Sequence, residues 1–454
     1  MFYDYTSLFL FLPLVLIIHF SLPQRFRNAE LFFSSLIFYS LYNFRFFPLL
    51  VLSAFVNYFL GLALAGSSKR PVRRFWLLAS LFLNLGILAT FKYSGMFSET
   101  IREIPAFHDF PLIKYALPLG ISFYTFKNIS YLVDIYRRHI EPARSLIDYS
   151  MYLTFFPQLP SGPIMRFKEI AGQLCDRVTT ADRIGQGIQL LFMGASKKIL
   201  LADTAAYFCN PLFALPVPGF WQSWASVLLY SAQIYFDFSG YTDMAIGLAF
   251  LFGIESPQNF NSPYKSHSFA QFWRRWHMTL SFWLRDYLYI SLGGNRKGQF
   301  RTYLNLVLTM LLGGLWHGAS WNFLVWGGYH GLLLAVERYL GVKDPQTKLG
   351  KTLRVAFNFL MVSAGWVFFR CDSFGRSWTW LKSMFFFQGL GPFFSLKAGA
   401  VILVLLSLIF GFKNSWEMKD NYKLYWIFFI IGCFILSLVI AYTKGVEPVI
   451  YARF

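Results

Sequence analysis

Charge is what this sequence has least of. Only 14% of its 454 residues are Asp, Glu, Lys or Arg, against about 25% in ordinary soluble domains. So few charges cannot cover a water-facing surface, which excludes a soluble globule and makes lipid the expected solvent. Cysteine is sparse as well. Cys175, Cys209, Cys371 and Cys433 are scattered without the spacing of a disulfide framework or a metal site, and neither is expected. There is no Walker loop, no dinucleotide-binding glycine pattern after a strand and no His-Glu-x-x-His, and no Ser-His-Asp triad can be assembled. The segment Met1 to Phe20 begins without positive charge and precedes no small-residue cleavage site, so it reads as a retained first helix. No soluble domain of any size is expected at either end.

What is present in quantity is apolar surface: 56% of the residues are hydrophobic and 21% aromatic. Leu424–Thr443, Phe46–Ser68, Phe75–Phe91 and Tyr303–Val336 contain no Asp or Glu, and no Lys or Arg. A spanning helix needs about 20 apolar residues, because each rises about 1.5 Å through a core about 30 Å thick. Membrane-barrel strands would alternate polar and apolar residues, and these runs do not. The expected fold class is therefore an all-α polytopic membrane protein, with about 10 to 13 transmembrane or re-entrant helices. The whole chain, 1–454, is expected to form a single membrane-embedded domain, with its unusual polar and glycine-rich sequence at about 110–340.

The net charge of +19 points to cytoplasmic loops and not to nucleic acid. Arg25 and Arg27 form one basic loop, and Lys69, Arg70, Arg73 and Arg74 another. Two crossings separate them, so both can face the cytoplasm, with Met1 outside.

Polar groups inside apolar sequence are costly and mark cavities or partners. His317 stands in the longest uncharged run, within GGLWHGASW (Gly313–Trp321). Small residues there allow close helix approach or a broken helix lining a cavity. The imidazole either bonds neutrally between helices or serves as a general base. In Phe272–Tyr287, aromatics mix with cations, as in an interfacial amphipathic helix. The other reading makes His277 a second acid or base and lets Arg274 and Arg275 hold phosphates of a nucleotide-like donor. Asp237 and Asp243 lie six apart, about 120° from alignment on a helix. They are expected to accept hydrogen bonds from Arg, Tyr or Trp and to fix the cavity shape, not to act as an acid–base pair. Phe156–Arg166 has three prolines and a glycine, and reads either as a re-entrant segment or as a surface loop. His330 is read as structural.

Taken in order, FPQLPSGPIMR (Phe156–Arg166), QIYFDFSGYTDMAIG (Gln233–Gly247), NFNSPY (Asn259–Tyr264), FWRRWHMTLSFWLRDYLYISLGGNR (Phe272–Arg296) and GGLWHGASWNFLVWGGYHG (Gly313–Gly331) resemble the membrane-bound O-acyltransferase family. The resemblance is to its bacterial branch, which includes the alginate O-acetylation membrane subunit and the D-alanyl transfer protein of teichoic acid modification. The ending Glu447–Phe454 resembles a common family ending, while Pro160-Ser161 departs from the small aliphatic residues usual in relatives.

The resemblance implies helices ringed around a central funnel, with His317 at the family's invariant histidine and His277 at the branch's second one. Arg274, Arg275, Trp276, Asp237, Asp243, Asn259, Trp316 and Trp321 become donor-binding or channel-lining candidates. It implies no tightly bound cofactor. The donor is expected to be acetyl-CoA, with an acyl carrier as the other choice. A periplasmic or membrane-anchored polysaccharide acetyltransferase is the expected partner, alongside membrane lipid, and the expected location is a bacterial cytoplasmic (inner) membrane. The leading function is acetyl transfer toward an exported polysaccharide. D-alanyl transfer from a carrier protein is the near alternative. A transporter or flippase is the alternative of another class, although the chain shows no two related halves.

Overall fold

A computed structural model describes residues 4–385 and 388–450. The expectations for Met1 and for the last four positions of the ending, 451–454, lie outside the described residues. Among the described residues there are helices and loops and no strands.

The chain forms two compact units interleaved along the sequence: 1–191 with 244–257, and 192–243 with 258–454. The first unit begins with α1 (Leu12–Ser21), α2 (Arg27–Asn43), α3 (Phe47–Gly66) and α4 (Arg70–Arg102). Pro48 and Pro71 sit in the first turns of α3 and α4, where a missing N–H costs nothing. With 33 residues, α4 is about 50 Å long. It is followed by α5 (Ile121–Tyr136), α6 (Leu146–Thr154), the single turn α7 (Phe167–Ile170) and α8 (Ala181–Ser196), whose last residues belong to the second unit. Arg73 donates to the carbonyls of Ile135 and Tyr136 at 3.0 and 2.7 Å, tying the start of α4 to the end of α5.

Apolar residues cannot satisfy one another's backbone-like polar neighbours in lipid, so the polar side chains of this unit meet each other. Asn84 donates to Asn57 at 2.7 Å, Asn128 donates to Asn84 at 3.0 Å and to Ser53 at 2.9 Å, and Tyr149 donates to Asn128 at 2.6 Å. This is the interhelical bonding that replaces the hydrophobic effect inside a bilayer. Residues 155–165 are all buried, so Phe156–Arg166 is an interior segment and not a surface loop. Its Gln158 accepts from Lys127 Nζ at 3.1 Å and donates to Ser256 at 3.1 Å.

The second unit contains α9 (Asp203–Phe213), α10 (Phe220–Leu251, of which 244–251 belong to the first unit), α11 (Phe269–Trp273), α12 (Met278–Trp283), α13 (Gln299–His317), α14 (Trp321–Tyr339), α15 (Lys348–Arg370), α16 (Phe374–Phe385), α17 (Leu396–Gly411), the turn α18 (Ser415–Met418) and α19 (Leu424–Lys444). Ser268, Ser320, Thr347, Ser395 and Asn414 accept the N-terminal backbone N–H groups of α11, α14, α15, α17 and α18, as helix caps do.

Among the described residues, four helical stretches are long and apolar enough to cross a membrane: Gln24–Gly66, Arg70–Arg102, Lys348–Arg370 and Leu424–Lys444. Thr6–Ser21 and Leu396–Gly411 are shorter apolar helices. Fewer stretches qualify than the sequence count expected because some inner helices are short and the long ones, α10, α13 and α14, carry glycine, aromatic and polar residues that lower their mean hydropathy.

Candidate active site

The second unit gathers the histidines. His317 is the last residue of α13, which turns back at Gly318 into α14. The two helices pack at backbone contact. A Cβ on Gly314 would stand 2.2 Å from the Phe323 carbonyl, one on Gly327 2.2 Å from the Met310 carbonyl, and one on Gly318 2.2 Å from the Phe323 ring. The small residues are therefore required by close approach, and that approach aims His317 inward. Its ring centroid lies 5.0 Å from Trp316, 5.0 Å from Trp326, 5.4 Å from Phe369 and 6.5 Å from His277.

His277 is fully buried and precedes α12 with φ +42°, a left-handed conformation that a side chain rarely adopts. Such a residue costs about 1–3 kcal/mol unless its surroundings hold it. Here the backbone on both sides is clamped: Met278 N–H donates to the Asn259 carbonyl and Asn261 N–H to the Arg275 carbonyl, each at 2.9 Å. The Asn259 side chain completes the clamp. Its Oδ1 accepts from Thr279 N–H at 3.2 Å and from Thr279 Oγ1 at 2.9 Å, and lies 3.1 Å from His277 Nδ1. A backbone N–H can only donate, so the atom facing it is the amide oxygen, and His277 Nδ1 must carry its proton toward that oxygen. The neutral ring then keeps its lone pair on Nε2.

Asp237 and Asp243 are parted, as their spacing on α10 requires, and a lysine meets each, where Arg, Tyr or Trp donors were expected. Asp237 meets Lys198 Nζ at 2.8 Å and accepts the Ile450 N–H at 2.8 Å. Asp243 meets Lys197 Nζ at 2.7 Å and Ser415 Oγ at 2.5 Å. Both lysines leave α8 on a π-helical turn, Lys197–Ala202. The extra residue per turn lets two consecutive lysines reach two carboxylates set apart on α10. These lysines were missed in the sequence, where their signal was a charged pair, Lys197-Lys198, inside an apolar stretch.

The remaining candidates divide. Trp316 lies between the histidines, 6.0 Å from His277 and 5.0 Å from His317. Trp276 is buried against Trp366 at 4.9 Å and Phe260 at 5.0 Å, as part of the aromatic core. Trp321 is 50% exposed on the first turn of α14. Arg274 is exposed and Arg275 half-buried, and among the described residues neither guanidinium forms an ion pair with a carboxylate. His330 is fully buried among Trp326, Trp273, Tyr329 and Phe272.

Phe369 and Phe323, 4.9 Å apart, also wall a cavity of about 290 Å³ that Gln233, Arg370 and Asp372 line. Phe369 thus neighbours both His317 and this space. Two imidazoles 6.5 Å apart in an aromatic surround can take a proton from a hydroxyl that reaches them, and such a surround disfavours water near a reactive acyl group.

The chain is similar to known proteins over most of its length. The chain is 41% identical over 429 residues to a protein named "Probable alginate O-acetylase AlgI" from Pseudomonas aeruginosa, covering 92% of this chain and 82% of that one. It is 34% identical to a peptidoglycan O-acetyltransferase of Helicobacter pylori, over 95% of this chain and 93% of the relative. It is 30% identical to a teichoic acid D-alanyltransferase of Bacillus subtilis, over 49% of this chain and 59% of the relative. The model of the membrane-bound O-acyltransferase family matches residues 36–374, a span that contains both histidines, the Asn259 clamp and the interior segment 155–165, and the chain belongs to that family of O-acyltransferases.

Proposed function

We propose that this protein takes an acetyl group from a cytoplasmic thioester, acetyl-CoA, and passes it through a bacterial cytoplasmic membrane toward an exported polysaccharide. The observation that carries the reading is the pair of buried histidines, 6.5 Å apart, among aromatic rings. Relatives named for O-acetylation over more than nine-tenths of this chain support acetyl as the acyl group and a polysaccharide as its destination.

In this reading His317 removes the proton of an incoming hydroxyl. The hydroxyl oxygen attacks the thioester carbonyl, the carbon–sulfur bond breaks, and the proton held by His317 accounts for the one the departing thiolate takes up. Trp316, Trp326 and Phe369 keep water from hydrolysing the thioester. His277, fixed with its lone pair on Nε2, is the second proton acceptor. Arg274 and Arg275 suit the phosphates of the donor, since a guanidinium binds them in fixed geometry. The hydroxyl belongs to a separate exported or membrane-anchored acetyltransferase, which then places the acetyl group on the polymer. The D-alanyl relative covers only about half of this chain, which favours acetyl over D-alanyl.

Thioester turnover separates this enzyme from a transporter or flippase. The purified protein, given radiolabelled acetyl-CoA and a hydroxyl acceptor, should release free CoA thiol in step with acetyl ester. Uptake of acetyl-CoA into vesicles without cleavage would overturn the proposal.

A further inference from the structure

A second cavity, of about 280 Å³, opens in the second unit away from the histidines. Its walls are apolar: Leu201, Leu408 and Ile409 on one side, and Trp426, Ile430 and Cys433 of α19 on the other. α19 has a mean hydropathy of 2.6 and only 17% of its most apolar stretch is buried. Leu403 of α17 and Phe428 of α19 are 69% and 65% exposed. The groove therefore opens onto a surface that meets acyl chains, and an apolar hollow of this kind does not hold water.

One end of the groove is polar, formed by Lys197, Lys413, Asn414 and Ser415. Most of these groups are already satisfied. Lys197 is neutralised by Asp243 at 2.7 Å. Asn414 donates to Asn261 and Ser262, each at 3.2 Å. Glu417 accepts the Asn414 backbone N–H at 2.9 Å. Lys265 pins the loop through the Phe412 carbonyl at 2.6 Å. Lys413 differs. It is exposed at the groove's mouth, and among the described residues it meets no carboxylate. Lys423, at the start of α19, is likewise exposed without an acidic partner and lies over the Tyr425 ring. One uncompensated cation, Lys413, thus stands at the polar end of an apolar groove, and Lys423 lies about one turn before Trp426 of its wall. From Trp426 to Cys433 the groove follows α19 for about 10 Å at 1.5 Å per residue, enough for the upper part of one acyl chain.

We propose that this groove is a binding site for one anionic glycerophospholipid, its phosphate at Lys413 and one acyl chain between α17 and α19. A zwitterionic lipid would fill the same walls but bring its own cation to the lysine. Charge complementarity therefore selects the anionic class. The site is independent of the acyl-transfer reading, since none of its residues is among those assigned to the reaction.

The test uses the full chain purified in mild detergent and in nanodiscs. Native mass spectrometry of the wild type should show one retained anionic phospholipid per chain. In nanodiscs, phosphatidylglycerol brominated on its upper acyl carbons should quench tryptophan fluorescence more than brominated phosphatidylcholine does, and Trp426→Phe should remove most of the difference. Lys413→Glu, a change on an exposed loop that leaves the fold intact, should reduce anionic lipid retention at least fivefold. Ile430→Trp, which fills the groove, should reduce retention of either lipid. If Ile430→Trp fails to fold, Lys413→Glu and the bromine comparison still decide. No retained lipid in the wild type, equal quenching by the two lipids, or unchanged retention in Lys413→Glu would overturn the proposal.

Discussion

The two units surround their buried histidines differently. In the first, amides and hydroxyls bond to one another in a chain, Asn57 to Asn84 to Asn128 to Tyr149, with links of 2.6 to 3.0 Å. Its buried histidine, His19, faces a carboxylate, Glu30, at 2.7 Å. In the second unit the histidines stand among rings, and the neighbour of His277 is an amide oxygen, Asn259 Oδ1 at 3.1 Å. A carboxylate can neutralise a charged ring, whereas an amide cannot, so Asn259 orients His277 without fixing a charge on it. Polar groups that satisfy each other hold helices together. The histidines His277 and His317 of the second unit are packed among aromatic rings, with an amide oxygen beside His277.

Substitutions in the two units should act differently. The largest effect is expected at His317. His317→Ala should lower acetyl transfer by at least about 100-fold, the scale of general-base catalysis, while the detergent-solubilised protein elutes and melts as the wild type does. Near-wild-type acetylation would remove the base assignment. Next comes Asn259→Ala, expected to cost about 10-fold in turnover because the His277 ring loses its tautomer and its orientation. As Asn259 acts through His277, the pH–rate profile should also change shape. A loss of folded protein with an unchanged profile would make the residue merely structural.

In the first unit the balance should reverse. Asn128→Leu removes the centre of the amide chain and should cost about 1–3 kcal/mol of stability, seen as a lower melting temperature. Turnover per folded molecule should stay within about threefold, small beside catalytic losses. A large drop in turnover at unchanged stability would erase the distinction between the units. The smallest effect is expected at His330, where His330→Phe keeps the ring packing and should change turnover by less than about twofold.

Much of this was legible in the sequence, for reasons that differ by feature. Helices in lipid follow from runs without charge, such as Leu424–Thr443, because no other open structure satisfies its backbone there. The interior nature of residues 155–165 was half legible: the prolines of Phe156–Arg166 ended any helix, but only the fold shows the segment buried. His317 and His277 were found because an imidazole in an uncharged run has few cheap explanations. What the sequence could not supply is pairing over distance. Lys198 reaches Asp237 and Lys197 reaches Asp243 through a π-helical turn, whose irregular register leaves no periodic trace. Asn259 was legible as a motif residue but not as the partner of His277, since that bond depends on a left-handed backbone at a residue that is not glycine. The short helices of the core, α11 and α12, escaped counting because their sequence looks like an interfacial amphipathic stretch.

Whether buried His317 drives acyl transfer, and whether the acyl group then leaves on a separate acceptor protein, can be read in sealed vesicles holding the full chain, with radiolabelled acetyl-CoA inside and polysaccharide outside, with and without a candidate exported acetyltransferase. Wild-type protein should label the polymer only when that acetyltransferase is present, and His317→Ala should label neither protein nor polymer. Efficient labelling of the polymer by this chain alone, or by the His317→Ala variant, would contradict the proposal.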